Sequence, residues 1–249
     1  MQAPWGPVLV CRPLQNHAEH FFTAASLTLR DSQDEWAGLA AFAGVEPNRL
    51  RLLNQVHGRT IATVLSEDAS PWTRPEADGV ITADPSVALV VRVADCAPVL
   101  LADRRQGVVA AVHAGWRSTM QRILPAAIEA LAVQHATDPG DVVAAIGPCL
   151  GTCCGEMGEE VVDAFRSIGH DEIALDRWFR REAGKRPHFD LWRANREQLQ
   201  RAGVPADAIH VAGLCTRTHK DVFHSYRAAG TGAGRMAAVI RKGKPNGRW

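Results

Sequence analysis

Between Leu50 and His113 the sequence passes through a series of short apolar stretches: Leu50 to Val56, Thr60 to Leu65, Gly79 to Thr82, Val87 to Ala94, Val99 to Ala102 and Val108 to His113. Each has the length of a strand, and none reaches the ten or more residues of an ordinary helix, so the middle of the chain is β-rich. Helical spacing lies on either side. Asp34 to Ala43 reads as a helix with Asp31-Ser32 as candidate caps and Gly44 as its stop. Ser118 to Gln134 reads as another, which Pro125 is expected to kink or restart. Asp141 to Ile146 and Ile209 to Leu214 read as strands, and Glu159 to Ile168 and Leu191 to Ala202 as helices. Arg177 to Pro187 is basic and reads as a solvated loop or exposed helix; Arg241 to Trp249 reads as a frayed tail.

Strand and helix signals are mixed without neat alternation, which disfavours a doubly wound parallel sheet. No repeat or linker divides the chain, and 249 residues fit a single domain, residues 1–249, of mixed α/β (α+β) class.

Composition narrows the possible functions. With 28 Lys+Arg against 27 Asp+Glu, the chain lacks the footprint of a nucleic-acid or anionic-membrane binder. Arg92 and Asp95 break its most hydrophobic region, Val87 to Leu101, so no membrane span is expected. The N-terminal residues lack a secretory pattern, and the cytoplasm is the expected compartment. Six cysteines in such a chain read as thiols or metal ligands, not as a disulfide framework.

Three segments end an apolar run on a soft metal ligand: Asn54-Gln55-Val56-His57-Gly58, Ala94-Asp95-Cys96-Ala97-Pro98 and Val112-His113-Ala114-Gly115-Trp116-Arg117. If the last two form a hairpin turning at Arg104–Gly107, Asp103 pairs with Val108, Pro98 with His113 and Cys96 with Gly115. Cys96 and His113 then become diagonal neighbours on one face, roughly 7–8 Å apart at the backbone. With His57 the set is His, Cys, His, which suits zinc and leaves a fourth position open, as in catalytic sites. Taken by themselves, these residues equally fit histidines bonded at strand ends and a cysteine packed as a small hydrophobe.

The chain resembles the bacterial laccase-like domain family, named for polyphenol oxidation and also viewed as zinc-dependent purine nucleoside phosphorylases. The resemblance rests on Asn54-Gln-Val-His-Gly58, Ala77-Asp-Gly-Val80, Ala94-Asp-Cys96, Val112-His-Ala-Gly-Trp-Arg117, Ile146-Gly-Pro-Cys-Leu-Gly-Thr-Cys-Cys154, Gly213-Leu-Cys-Thr216, Ser225-Tyr-Arg227 and Gly234-Arg-Met236. It implies a mixed β-sandwich flanked by helices, related to the fold of cysteine-dependent deamidating toxins. It also implies metal ligands at His57, Cys96 and His113, with zinc expected and copper as a lesser alternative. The implied partners are a purine nucleoside (adenosine, inosine, guanosine or methylthioadenosine) and phosphate, with adenosine deamination as a further activity.

Phosphorolysis needs an anion clamp and an acid. Arg117 and Arg227 are the candidates for the clamp, with structural ion pairing as the competing role. Gln55 and Ser225 are expected beside the substrate. Asp78 and Asp95 are candidates for acid–base work, and Cys96, His113 and Asp78 form the expected catalytic set. Cys149, Cys153 and Cys154 invite a second metal site, but adjacent cysteines seldom ligate one ion, so packing or a pocket wall is expected. His224 reads as structural, and His17 and His20 as exposed. Phe21 to Leu29 lacks an arginine usual in the family, which leaves Arg30 or Arg12 to take its place. The alternatives are a hydrolase with Cys96 as nucleophile and His113 as base, as in relatives linked to peptidoglycan-precursor editing, and a non-catalytic zinc-binding protein. Copper oxidase chemistry is disfavoured, since the sequence has no His-x-His pair.

Overall fold

The computed structural model describes residues 1–30, 32–65 and 72–243. Strands β1 (Gln2–Ala3), β2 (Gly6–Leu9) and β3 (Ala18–Thr23), with helix α1 (Arg12–Gln15) between the last two, precede helix α2 (Gln33–Phe42). Six strands follow: β4 (Leu50–Leu52), β5 (Ile61–Val64), β6 (Gly79–Thr82), β7 (Ala88–Val93), β8 (Ala97–Asp103) and β9 (Val109–Ala114). Helices α3 (Trp116–Met120) and α4 (Ile123–His135) lead to β10 (Val142–Ile146), α5 (Glu159–Ser167) and α6 (Glu172–Trp178). The chain closes with β11 (Phe179–Arg180), β12 (His188–Phe189), α7 (Leu191–Arg201), β13 (Ile209–Val211), α8 (Tyr226–Ala229) and β14 (Met236–Lys242).

The strands form two six-stranded mixed sheets, ordered β1-β2-β3-β14-β7-β4 and β13-β10-β8-β9-β6-β5, and a separate β11-β12 ribbon. Side-chain alternation fixes the layers. In β7, Leu89 and Val91 pack with Val80, Leu100 and Ala111 of the other sheet, while Ala88 and Val90 pack with Leu39 and Ala40 of α2. In β8, Leu100 and Ala102 join the inter-sheet core, while Val99 and Leu101 pack with Leu124 and Leu131 of α4. The order is therefore helix, sheet, sheet, helices: a mixed β-sandwich flanked by helices. Both faces of the central strands are covered, which is why they read as continuous apolar runs.

Local chemistry sets most element ends. Ser32 accepts from the Glu35 N–H to cap α2, and Gly44, at φ +70°, ends it; Asp31 lies outside the described residues. The helix expected over Ser118 to Gln134 is broken at Arg122, which has a left-handed φ of 61°. α4 restarts there, and Pro125 falls in its first turn, where no amide donor is required.

Some expectations are corrected. The segment Arg177 to Pro187 is not wholly solvated: Trp178 ends α6 fully buried, and Phe179 is buried where β11 pairs with β12. Arg241 and Lys242 are not frayed, because they belong to β14, an interior strand between β3 and β7; residues 244–249 lie outside the described residues. Arg241 is buried against Glu19. His20 is buried in β3, where its Nε2 accepts from the Cys11 N–H at 2.9 Å. Burial lowers its pKa to about 4, although the Ala18 carbonyl bonded to its ring opposes the shift.

Candidate metal centre and cleft

The β8–β9 hairpin has the register that brings Cys96 and His113 together, with Pro98 opposite His113 and Ala97 opposite Ala114. Cys96 stands one residue before β8, after Asp95, whose φ of 85° turns the chain out of the strand. His57 lies in the loop after β4 and also has a left-handed φ, 59°. Ligand atoms of His57, Cys96 and His113 all lie within 4.8 Å of one another.

The loop that carries His57 is held by side chains that imitate strand pairing. The Gln55 amide accepts from the Arg92 N–H and donates to the Arg92 carbonyl, each at 2.8 Å. The Asp78 carboxylate accepts from the backbone N–H groups of Val56 at 3.2 Å, His57 at 3.0 Å and Gly58 at 2.6 Å, and from His113 Nδ1 at 2.7 Å. These bonds replace sheet pairing, so β4 stops at Leu52 and the strand expected as far as Val56 does not form.

The electrostatics match the donor set. Burial raises the Cys96 thiol, but the charge and hydrogen bond of His113, followed by those of His57, outweigh it and bring the pKa down to about 6. Burial lowers His113, but the Cys96 thiolate and Asp78 outweigh it and raise the ring to about 9. Burial resists ionisation of Asp78, yet His113 and the backbone donors hold its pKa below the usual carboxylate value. A thiolate and two imidazoles, one with Nδ1 committed to a carboxylate, can hold a soft or borderline metal ion. Gly115 completes the fit: a Cβ there would stand 2.6 Å from Cys96 Sγ and 3.3 Å from His57 Cδ2.

The trio opens on a cleft of about 800 Å³. Arg30, Arg92, Arg117, Arg227 and Arg235 line it, with Trp116, Met157, Phe189, Leu191 and Tyr226 as apolar and aromatic wall. Among the described residues, no carboxylate pairs with Arg30, Arg117, Arg227 or Arg235. Arg117 lies over the Trp116 ring at 4.2 Å, and Arg227 donates to the Glu156 carbonyl at 3.0 Å. Ion pairing is thus not the role of Arg117 or Arg227 here.

Of the other expected residues, Gln55 lines the cleft with its amide already committed to Arg92. Ser225 does not line it: the hydroxyl is buried and accepts from the Ala228 N–H as the cap of α8. Asp78 is fully buried behind His113, where it positions the ring and does not face the cleft. Asp95 does line the cleft, but its oxygens accept from Thr216 Oγ1 at 2.6 Å and the Arg227 N–H at 2.5 Å. Arg30, not Arg12, reaches the cleft. His224 bonds the Leu27 carbonyl, and Cys149 is buried in the core. Arg92, Arg235, Trp116 and Tyr226 add to the wall; Arg92 had a signal in the sequence, a charge inside an apolar strand.

A sandwich of two mixed sheets with a soft-donor trio in an arginine-lined cleft defines the class: a protein with a His–Cys–His group able to hold a metal ion. The chain belongs to the family described as multi-copper polyphenol oxidoreductase laccase, which matches residues 30–242. It is 39% identical over 163 residues to a protein of Bacteroides thetaiotaomicron named purine nucleoside phosphorylase, a match covering 66% of this chain and 60% of that protein. It is 36% identical over 213 residues to adenosine deaminase RL5 of an unknown prokaryotic organism, covering 82% of this chain and 79% of that protein. The fold is similar to the crystal structure of the Bacillus licheniformis hypothetical protein YfiH, with a TM-score of 0.85 at 24% identity over 95% of this chain and 96% of that one.

Proposed function

We propose that this chain is a zinc-dependent purine nucleoside phosphorylase acting on adenosine, inosine, guanosine and methylthioadenosine, with adenosine deaminase activity as well. The observation that carries the reading is the convergence of His57, Cys96 and His113 in a cleft lined by Arg117 and Arg227, neither of which pairs with a carboxylate among the described residues. The names of the relatives support the reaction class. Bound at the trio, zinc supplies Lewis-acid polarisation.

The chain's own residues perform the rest. Asp78 keeps a proton on His113 Nδ1, which leaves Nε2 free as a ligand. Arg117 and Arg227 hold phosphate, because guanidinium forks match its oxygens. Trp116, Met157 and Tyr226 offer flat and polarisable surface to a purine. In phosphorolysis a phosphate oxygen attacks the anomeric carbon, the glycosidic C–N bond breaks, and the purine departs with its electron pair and takes up the proton that the attacking dihydrogen phosphate gives up.

The test is chromatography of products from the metal-analysed protein with adenosine, inosine and methylthioadenosine, with and without phosphate, beside Cys96→Ala. Free base that needs phosphate and is lost in the variant supports the reading. Absence of turnover from zinc-loaded protein overturns it.

One observation favours a second reading. Cys96, His113 and Asp78 are linked in sequence by hydrogen bonds, the arrangement of a nucleophile, its base and the group that orients the base. A cysteine-dependent hydrolase would use these groups without metal, so turnover of an amide substrate by chelator-treated protein would favour it.

A further inference from the structure

Cys153, Cys154 and Cys215 are not part of the His57–Cys96–His113 trio, and their sulfur atoms all lie within 4.8 Å of one another. Cys153 and Cys154 share one tight 3-10 turn, Thr152–Cys154, which sets their sulfurs 3.6 Å apart. In an extended chain, adjacent side chains point to opposite faces and cannot meet at one ion; this turn removes that obstacle. Cys215 reaches the cluster from the segment after β13, where it forms a parallel bridge with Cys149. The approach is close, since a Cβ on Gly151 would stand 3.0 Å from Cys215 Cβ.

The spacing discriminates between uses of the thiols. All three are free, and 3.6 Å is far longer than a disulfide bond of about 2.05 Å. It is close to the edge, about 3.8 Å, of a tetrahedron of thiolates about 2.3 Å from a central ion. Cys154 and Cys215 are buried, while Cys153 is exposed and gives an ion a way in.

The geometry points to Cys153, Cys154 and Cys215 as a second metal site, a three-thiolate cradle for a soft d10 cation, zinc(II) or copper(I), distinct from the His57–Cys96–His113 centre. All three donors are sulfur, the set that selects these ions over magnesium or calcium. Copper(I) is satisfied by three thiolates, whereas zinc takes a fourth ligand from solvent on the exposed Cys153 side. Each thiol that ligates the ion releases its proton to the buffer, and no oxidant or reductant is consumed. An ion here would staple the Thr152–Cys154 turn to the Cys215 segment. That turn shapes the cleft, because Leu150 and Gly155 beside it line the wall and the Cys154 carbonyl accepts from Arg227 at 3.4 Å.

The test titrates the full chain, without oxidant, separately with Zn²⁺ and Cu⁺ against competing chelators, in wild type, Cys153→Ser and Cys96→Ala. Cys153 is exposed, so its replacement leaves the core intact; circular dichroism checks this. About two equivalents bind the wild type and about one binds Cys153→Ser, while Cys96→Ala keeps the Cys153-dependent equivalent. The preferred ion of that equivalent separates zinc from copper. Cobalt substitution adds a spectroscopic signature, a sulfur-to-metal charge-transfer band that persists in Cys96→Ala and disappears when Cys153 is also replaced. A single equivalent in wild type that Cys153→Ser leaves unchanged overturns the proposal. So does a mass lighter by two hydrogens that depends on Cys153, because that outcome assigns the cluster to a disulfide.

Discussion

The Asp78 carboxylate accepts from His113 Nδ1 at 2.7 Å while also accepting from the backbone N–H of His57 at 3.0 Å. One buried carboxylate thus orders two candidate ligand residues from separate parts of the chain. His57 follows β4 in one sheet and His113 lies on β9 in the other, so Asp78, the residue before β6, ties the loop after one sheet to a strand of the other.

Asp78→Asn is expected to lower metal affinity about 10- to 100-fold, the usual cost of losing an outer-shell partner of a ligating histidine. The amide keeps the shape but presents an N–H₂ group where the carboxylate accepts bonds from the loop and the His113 ring. Chelator competition measures the effect, with circular dichroism as the check on folding. Affinity equal to wild type would remove Asp78 from its positioning role.

The apolar runs between Leu50 and His113 announced the central strands because burial on both faces leaves no polar alternation to misread. Parity in the β8–β9 hairpin brought Cys96 and His113 onto one face, as the observed register has it. His57 joined them as a soft ligand ending its own apolar run and through the family resemblance, because nothing in the spacing 57, 96 and 113 marks a local motif. The residues that hold the trio were less legible. Asp78 and Gln55 act through backbone groups distant in sequence, and no local pattern reports such pairing. Ser225 beside Tyr226 resembled a substrate contact, yet a helix start claimed its hydroxyl. His20 seemed too near the terminus to be buried, because its strand is closed by β14 from the opposite end of the chain. Cys153 and Cys154 read as packing or pocket wall, from their adjacency and the glycines around them; that a 3-10 turn sets their sulfurs 3.6 Å apart is not legible in the sequence.

Gly115→Ala is expected to disable the metal site, because the new Cβ would stand 2.6 Å from Cys96 Sγ. Overpacking of this kind costs about 1–3 kcal/mol of stability. Gly232→Ala is the control, since nothing lies within 4 Å of its Cβ position, and it is expected to change stability by under about 0.5 kcal/mol. Metal content and denaturant midpoints of the two variants decide. Equal metal content in both would show that the trio tolerates the added methyl.

Stability is expected to fall with acid through His20. Its folded-state pKa is depressed to about 4, below the unfolded value near 6.5, so the unfolded chain binds more protons between those pH values. The His20 contribution is complete above about pH 6.5 and is lost by about 1.4 kcal/mol per pH unit as pH falls toward 4. Urea unfolding across this range, compared with His20→Gln, isolates the effect. A pH dependence unchanged in the variant would assign the loss to other groups.

Cys96 in metal-free protein is expected to alkylate readily down to about pH 6, well below the range of an ordinary cysteine, because His113 and His57 favour its thiolate. Metal binding occupies the same sulfur and should block the reaction. Mass spectrometry of iodoacetamide-treated protein, with and without zinc, reads both effects. Alkylation of zinc-loaded protein at the metal-free rate would place the metal elsewhere and favour a free nucleophile.

Arg117→Ala is expected to raise the KM for phosphate about 10-fold or more while leaving the KM for nucleoside nearly unchanged. Its guanidinium faces the cleft, has no carboxylate partner among the described residues, and is held over the Trp116 ring at 4.2 Å, so its charge is available to an anion. Loss of a charge-assisted hydrogen bond costs about 1.5–3 kcal/mol, which corresponds to roughly 10- to 100-fold in affinity. Arg117→Lys retains the charge but not the two-pronged fork, so it should fall between wild type and Arg117→Ala. Steady-state kinetics with phosphate varied at saturating nucleoside, and then the reverse, separates the two constants. If both constants rise together in Arg117→Ala, the residue supports the cleft wall through Trp116, and the phosphate clamp passes to Arg227 and its neighbours.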